Sequence, residues 1–132
     1  MERVHGDQVK RRDEKEAINR RILEEMVHEA RRSGLEPIFV LFYVNAELQM
    51  ESWRERLLKD VLGDLGVRYV DSKRIFLAAS TCQGRALSPR RFYFLPGNGH
   101  VNGEGYRLIA SELAGLLRSS GDSRPVVRAD RR

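Results

Sequence analysis

The chain has 132 residues, 41% of them apolar and 33% charged, which suits one modest hydrophobic core and is too short for two separate domains. Its formal net charge of +5 comes from 24 basic and 19 acidic side chains interspersed along the sequence, a mixture that argues against a nucleic-acid partner. A single cysteine, Cys82, excludes an internal disulfide framework, and the charged opening MERVHGDQVKRRDEKEA holds neither a signal peptide nor a membrane anchor, so the expectation is a soluble, cytoplasmic protein with no membrane partner.

Residues 1–12 carry few apolar side chains and read as a frayed N-terminal segment, while residues 119–132 read as a disordered basic tail, leaving 13–118 as the folded part. Over residues 13–33, Ile18, Ile22, Leu23, Met26, Val27 and Ala30 recur at intervals of three and four, the signature of one apolar helix face, and Gly34 is a natural stop. The run Pro37-Ile38-Phe39-Val40-Leu41-Phe42-Tyr43-Val44 is rich in β-branched and aromatic residues and predicts a central parallel strand covered on both faces. A second helix is predicted over 46–62, with Leu48, Trp53, Leu57, Val61 and Leu62 turned inward and Gly63 or Gly66 closing it. Residues 67–71 predict a short second strand. The alternation of helix and strand implies an α/β fold with parallel strands.

Residues 72–91 lose this periodicity and predict a long surface loop, in which solvation accounts for Ser80-Thr81-Cys82. A final helix is predicted after Asn102, an acceptable N-cap, with Tyr106, Ile109, Ala110, Leu113, Leu116 and Leu117 on its inner face. Just before it, His100 sits in the glycine-rich loop Pro96-Gly97-Asn98-Gly99-His100, behind the aromatic run Phe92-Tyr93-Phe94. Loops at the carboxyl edge of a parallel sheet are where open α/β folds bind ligands. The histidines His5, His28 and His100 lack metal-ligand spacing, and His28 suits a structural role on the first helix; no metal or cofactor is expected. Asp71 ends its strand in a position suited to capping the next segment, and Arg90 to Phe94 suit an edge segment leading into the histidine loop.

The segment Asn98-Gly99-His100-Val101-Asn102, followed by Gly105-Tyr106 and Ala110, resembles the histidine-bearing end of SGNH (GDSL-type) hydrolases. That resemblance spans roughly residues 15 to 118. It implies a three-layer, flavodoxin-like parallel sheet, incomplete here, with only the last two strands and their flanking helices, so that 13–118 is a partial SGNH hydrolase-like domain. It also implies ester hydrolysis or O-acyl (acetyl) transfer by a serine/histidine mechanism, on an ester or an acylated carbohydrate. His100 is then the general base, and Asn98 stands at the position of the aspartate that orients the imidazole. The family's Gly-Asp-Ser elbow is not recognisable: Gly6-Asp7 is followed by Gln8, and no apolar strand precedes it. The remaining serines, Ser33, Ser52, Ser72, Ser80, Ser88 and Ser111, lie outside any strand-to-helix elbow in this reading, and a nucleophilic Cys82 would rely on Arg85, Arg90 and Arg91 to favour its thiolate. The alternative is a non-catalytic interaction module that pairs through its exposed sheet edge, with a second copy or a complementing chain as partner.

Overall fold

The computed structural model describes residues 2–81, 88–94 and 99–121, with side chains over 11–81, 88–94 and 99–119. The order is α1 (Glu2–Arg32), β1 (Ile38–Leu41), α2 (Trp53–Asp64), β2 (Arg68–Asp71), α3 (Ser72–Ser80) and α4 (Gly103–Gly121), with short 3₁₀ turns at Asn45–Gln49 and Pro89–Phe92. It is a mixed α/β arrangement around two parallel strands.

α1 begins at Glu2, so the helix runs back through the segment read as frayed; Glu, Gln, Lys and Arg are good helix formers even where they have little to bury. It ends as expected at Gly34, with φ of 74°, where Leu35 N–H reaches the Ala30 carbonyl at 2.9 Å. Arg31 then donates to the Leu65 carbonyl at 3.0 Å, and the Arg12 guanidinium lies 5.8 Å from the centre of the Trp53 ring, so α1 and α2 lie side by side and run the same way. The inner face of α1 is narrower than its periodicity implies. Val27 is buried and Leu23 and Ala30 are half-buried, whereas Ile18, Ile22 and Met26 face solvent.

β1 and β2 pair in parallel, with Ile38 opposite Arg68 and Leu41 opposite Asp71, and α2 supplies the crossover that parallel pairing demands. β1 is shorter than the apolar run, and it is not covered on both faces as that run suggests: Ile38, Phe39 and Val40 are half-buried and Phe42 and Val44 are exposed, because β2 is its only neighbour among the described strands. The second predicted helix is split. A 3₁₀ turn holds Leu48 inward, and α2 restarts at Trp53 because Ser52 Oγ accepts the Glu55 N–H at 3.2 Å as an N-cap.

The predicted loop after Asp71 is a helix. Asp71 Oδ1 accepts the Arg74 N–H at 3.2 Å, so β2 passes directly into α3. α3 is short and carries small residues, which blurs its periodicity, yet Phe76 is completely buried on it. Ser80 is likewise buried, its hydroxyl donating to the Phe76 carbonyl at 2.6 Å, rather than solvated in a loop. The Phe76 ring stacks on Phe92 at 4.8 Å and meets Tyr93 edge-on at 5.8 Å, a trio that joins α3 to the segment leading into α4. On α4, Ile109 is buried and Leu108, Leu113 and Leu116 pack on the core, while Tyr106, Ala110 and Leu117, expected inward, are exposed.

Phe76→Ala is expected to lower the unfolding free energy by about 3–5 kcal/mol, because it opens a cavity where three aromatic rings meet. Urea denaturation checks this; a loss below about 1 kcal/mol would mean that the trio does not organise the core.

Candidate functional site

The chain approaches His100 along a segment held at several points. Pro89 opens the 3₁₀ turn, Ser88 Oγ accepts the Arg90 N–H at 3.3 Å, and Phe92 and Tyr93 are buried immediately afterwards. Tyr93 and Val101 form an antiparallel bridge, in which Phe94 N–H donates to the His100 carbonyl at 3.1 Å and Asn102 N–H to the Phe92 carbonyl at 2.8 Å. His100 therefore sits on the return arm of a pinned turn, with its side chain exposed.

Asn102 fixes this turn to α4. Its Oδ1 accepts the N–H groups of Glu104 at 3.0 Å and Gly105 at 3.1 Å, while its Nδ2 donates to the Arg91 carbonyl at 2.6 Å. The capping role expected of Asn102 is thus present, and its amide also fastens the 3₁₀ turn at Pro89–Phe92. Gly105 is required by close approach. A Cβ there would stand 2.5 Å from Val101 Cγ1, 3.0 Å from the Phe92 carbonyl oxygen and 3.1 Å from Phe76 Cζ.

Two contacts place the turn at the carboxyl end of β1. The buried Tyr93 hydroxyl donates to the Tyr43 carbonyl at 2.7 Å, and a Cβ on Gly99 would come within 2.9 Å of Val44 Cγ1. Burial, together with the charge of Glu47, pushes the Tyr93 phenol up to about 12, so it remains a neutral donor.

Beside the turn, at the carboxyl ends of the same strands, lies a charge cluster that sequence pattern alone does not reveal. Lys59 Nζ bridges Glu55 Oε1 and Asp71 Oδ2, each at 2.8 Å, and Lys73 Nζ bonds Glu55 Oε2 and the Met50 carbonyl, each at 2.8 Å. The Lys73 ammonium also lies 5.5 Å from the centre of the Tyr43 ring. Burial pushes the Glu55 carboxyl up, but the hydrogen bonds and charges of Lys59 and Lys73 outweigh it and hold the group below the ordinary glutamate range. Burial likewise lowers Lys59, and its bonds to Asp71 and Glu55 more than reverse this. Tyr43 is raised, by burial first and then by the charge of Asp71. Two carboxylates and two ammonium groups compensate one another, so the cluster is a brace rather than a proton acceptor. The Tyr43 hydroxyl, Asn45 Oδ1 and Ser72 Oγ are buried beside these elements without hydrogen-bond partners among the described residues.

Ser72, expected outside any strand-to-helix junction, stands at one, because β2 passes directly into α3, and it is completely buried there; several other candidates fall into structural roles. Asp71 is committed to Arg74 and Lys59, and Ser52 and Ser88 are caps. His28 is exposed on α1, its Nδ1 lying 3.1 Å from the Glu24 carbonyl. Asn98 and Cys82 lie outside the described residues. Among the described residues, no group of His, Cys, Asp and Glu is arranged to hold a metal ion, and no helix is long and apolar enough to cross a membrane. No protein-family model matches the chain, and neither a curated protein nor a solved structure matches it.

Because the folded state holds the Glu55 carboxyl below its ordinary value, its contribution is complete above that value and is lost as pH falls through the lowered one. Glu55→Gln is expected to cost about 3 kcal/mol at neutral pH and to flatten the loss of stability below roughly pH 4.5. Denaturation midpoints measured from pH 7 to pH 3 check both; parallel curves for the two proteins would show that Glu55 does not drive the acid limb.

Proposed function

We propose that this chain is the histidine-bearing part of an SGNH-type hydrolase domain, acting in ester hydrolysis or O-acyl transfer with His100 as the general base. The observation that carries this is the docking of the His100 turn on the carboxyl end of β1, through Tyr93 to the Tyr43 carbonyl and Gly99 to Val44. A parallel sheet presents its reactive groups at that edge, and an exposed imidazole on a pinned turn can accept a hydroxyl proton without first escaping a core. The parallel α/β pairing and the Asn102 cap on α4 accord with the flavodoxin-like ending that the motif resembles.

In this reading the nucleophilic hydroxyl is a serine outside this sequence's recognisable elements. His100 takes its proton as the oxygen attacks an acyl carbonyl, and returns that proton to the leaving alkoxide, after which water repeats the cycle to free the acid. By the resemblance, Asn98 takes the sequence position of the carboxylate that orients the imidazole. An amide can hydrogen-bond the ring, but it brings no charge to stabilise the imidazolium.

A second reading has its own observation. Among the described residues β1 pairs with a single strand, and Phe42, Val44 and Phe94 are exposed around its end, which suits a non-catalytic module that pairs through its sheet edge.

Hydrolysis of short p-nitrophenyl acyl esters separates the two. His100→Ala is expected to reduce turnover by roughly 100-fold or more while leaving the fold intact, and equal rates for variant and parent would overturn the catalytic reading. Asn98→Asp restores the orienting charge and is expected to raise turnover; a folded variant with no gain would overturn the role given to Asn98.

A further inference from the structure

The solvent-facing side of α1 carries an apolar row that no other element covers among the described residues. Ile18, Ile22 and Met26 are 60%, 51% and 54% exposed, and Arg21 and Glu25 flank them along the same strip. This row borders the side that packs toward α2, where Val27 is buried and where Ile22 also lines a groove with Leu23, Trp53 and Leu57. Spaced four apart, the three side chains form one narrow stripe, since residues at that interval stack along a helix.

The ends of the stripe are charged, and with opposite signs. Lys15 lies three residues before Ile18 and Glu29 three residues after Met26, so the row Lys15, Ile18, Ile22, Met26, Glu29 has intervals of three, four, four and three. The spacing reads the same in both directions about Ile22, while the charge reverses. A surface with that symmetry complements itself after a half-turn about an axis through Ile22, which is the condition for an isologous two-fold contact. In that arrangement Ile22 meets Ile22, Ile18 meets Met26, and Lys15 meets Glu29 twice. A parallel pairing would instead set lysine against lysine and glutamate against glutamate. Glu29 also pairs with Arg32 of its own helix, and both side chains are largely exposed, so that surface pair leaves the carboxylate open to a second cation.

We propose that α1 is a homodimerisation helix, and that two copies of this chain pair antiparallel across Ile22 with Lys15 of each against Glu29 of the other. This stands apart from the hydrolase reading and would hold for a catalytic or a non-catalytic chain.

Sedimentation equilibrium over a range of concentrations tests it. The parent protein is expected to show a reversible monomer–dimer equilibrium, and Ile22→Asp to remain monomeric. Lys15→Glu and Glu29→Lys, each alone, replace two attractions with two repulsions and are expected to weaken association roughly tenfold. An equimolar mixture of those two variants is expected to recover it, because each chain then offers its partner only opposite charges. Fourteen residues separate the two positions, about 21 Å along the helix, so recovery cannot arise within one chain. A parent that stays monomeric, an Ile22→Asp protein that still dimerises, single variants that associate like the parent, or a mixture that gains nothing would each overturn the proposal.

Discussion

Asp71 is bonded in three directions at once. Its backbone lies opposite Leu41 in the parallel pair, its Oδ1 caps α3, and its Oδ2 receives Lys59 from α2. The end of a strand, the start of one helix and the middle of another are thereby referred to a single carboxyl group. The brace continues from Lys59 to Glu55, from Glu55 to Lys73, and from Lys73 to the face of the Tyr43 ring. Tyr43 in turn offers its carbonyl to Tyr93, which holds the His100 turn. Ion pairs taken out of water contribute little net stability when compared with apolar packing of equal volume, but they tolerate few geometries. Here that intolerance fixes the edge of the sheet on which the candidate base stands.

The neighbourhood of His100 follows a division common among α/β proteins, in which a packed scaffold carries an exposed functional residue. Several polar groups of the elements that carry the turn are committed: the Asn102 amide is bonded at both its oxygen and its nitrogen, Tyr93 is kept neutral by burial, and Asp71 is paired with Lys59. The turn leaves the His100 side chain exposed at the carboxyl edge. Chemistry proposed for this site therefore rests on the histidine and on whatever nucleophile is brought to it, with the surrounding polar groups serving position.

Much of this was legible in the residues, and the exceptions have physical causes. Gly34 and Asn102 were readable because caps and stops depend on local backbone geometry that one side chain decides. α3 was not, because its nine residues mix small and apolar types too briefly to establish a period, although the Asp71 cap was there to be noticed. The same holds for Ser52, whose serine and the glutamate three residues on mark the start of α2. The apolar stripe of α1 and the run of β1 were expected to be buried, and they are only partly so because a two-stranded sheet covers so little. Hydrophobic pattern reports what a surface could bury, not whether a neighbour arrives. The charge cluster was hidden for the opposite reason: Glu55 and Lys59, four apart on a helix, look like any solvated pair until the fold brings Asp71 and Lys73 against them.

At Gly105, the absence of a side chain sets a mechanical stop. α4 approaches Val101, the Phe92 carbonyl and the Phe76 ring so closely that a single added carbon would have to displace the Val101 side chain and press on the other two. The backbone of α4 therefore sits against Val101 and the aromatic core with no room for a side chain between them. His100 lies only five residues upstream, joined through the Asn102 cap. Its backbone thus inherits the tolerance of that contact, in the way that the tip of a short lever is no less accurate than its fulcrum.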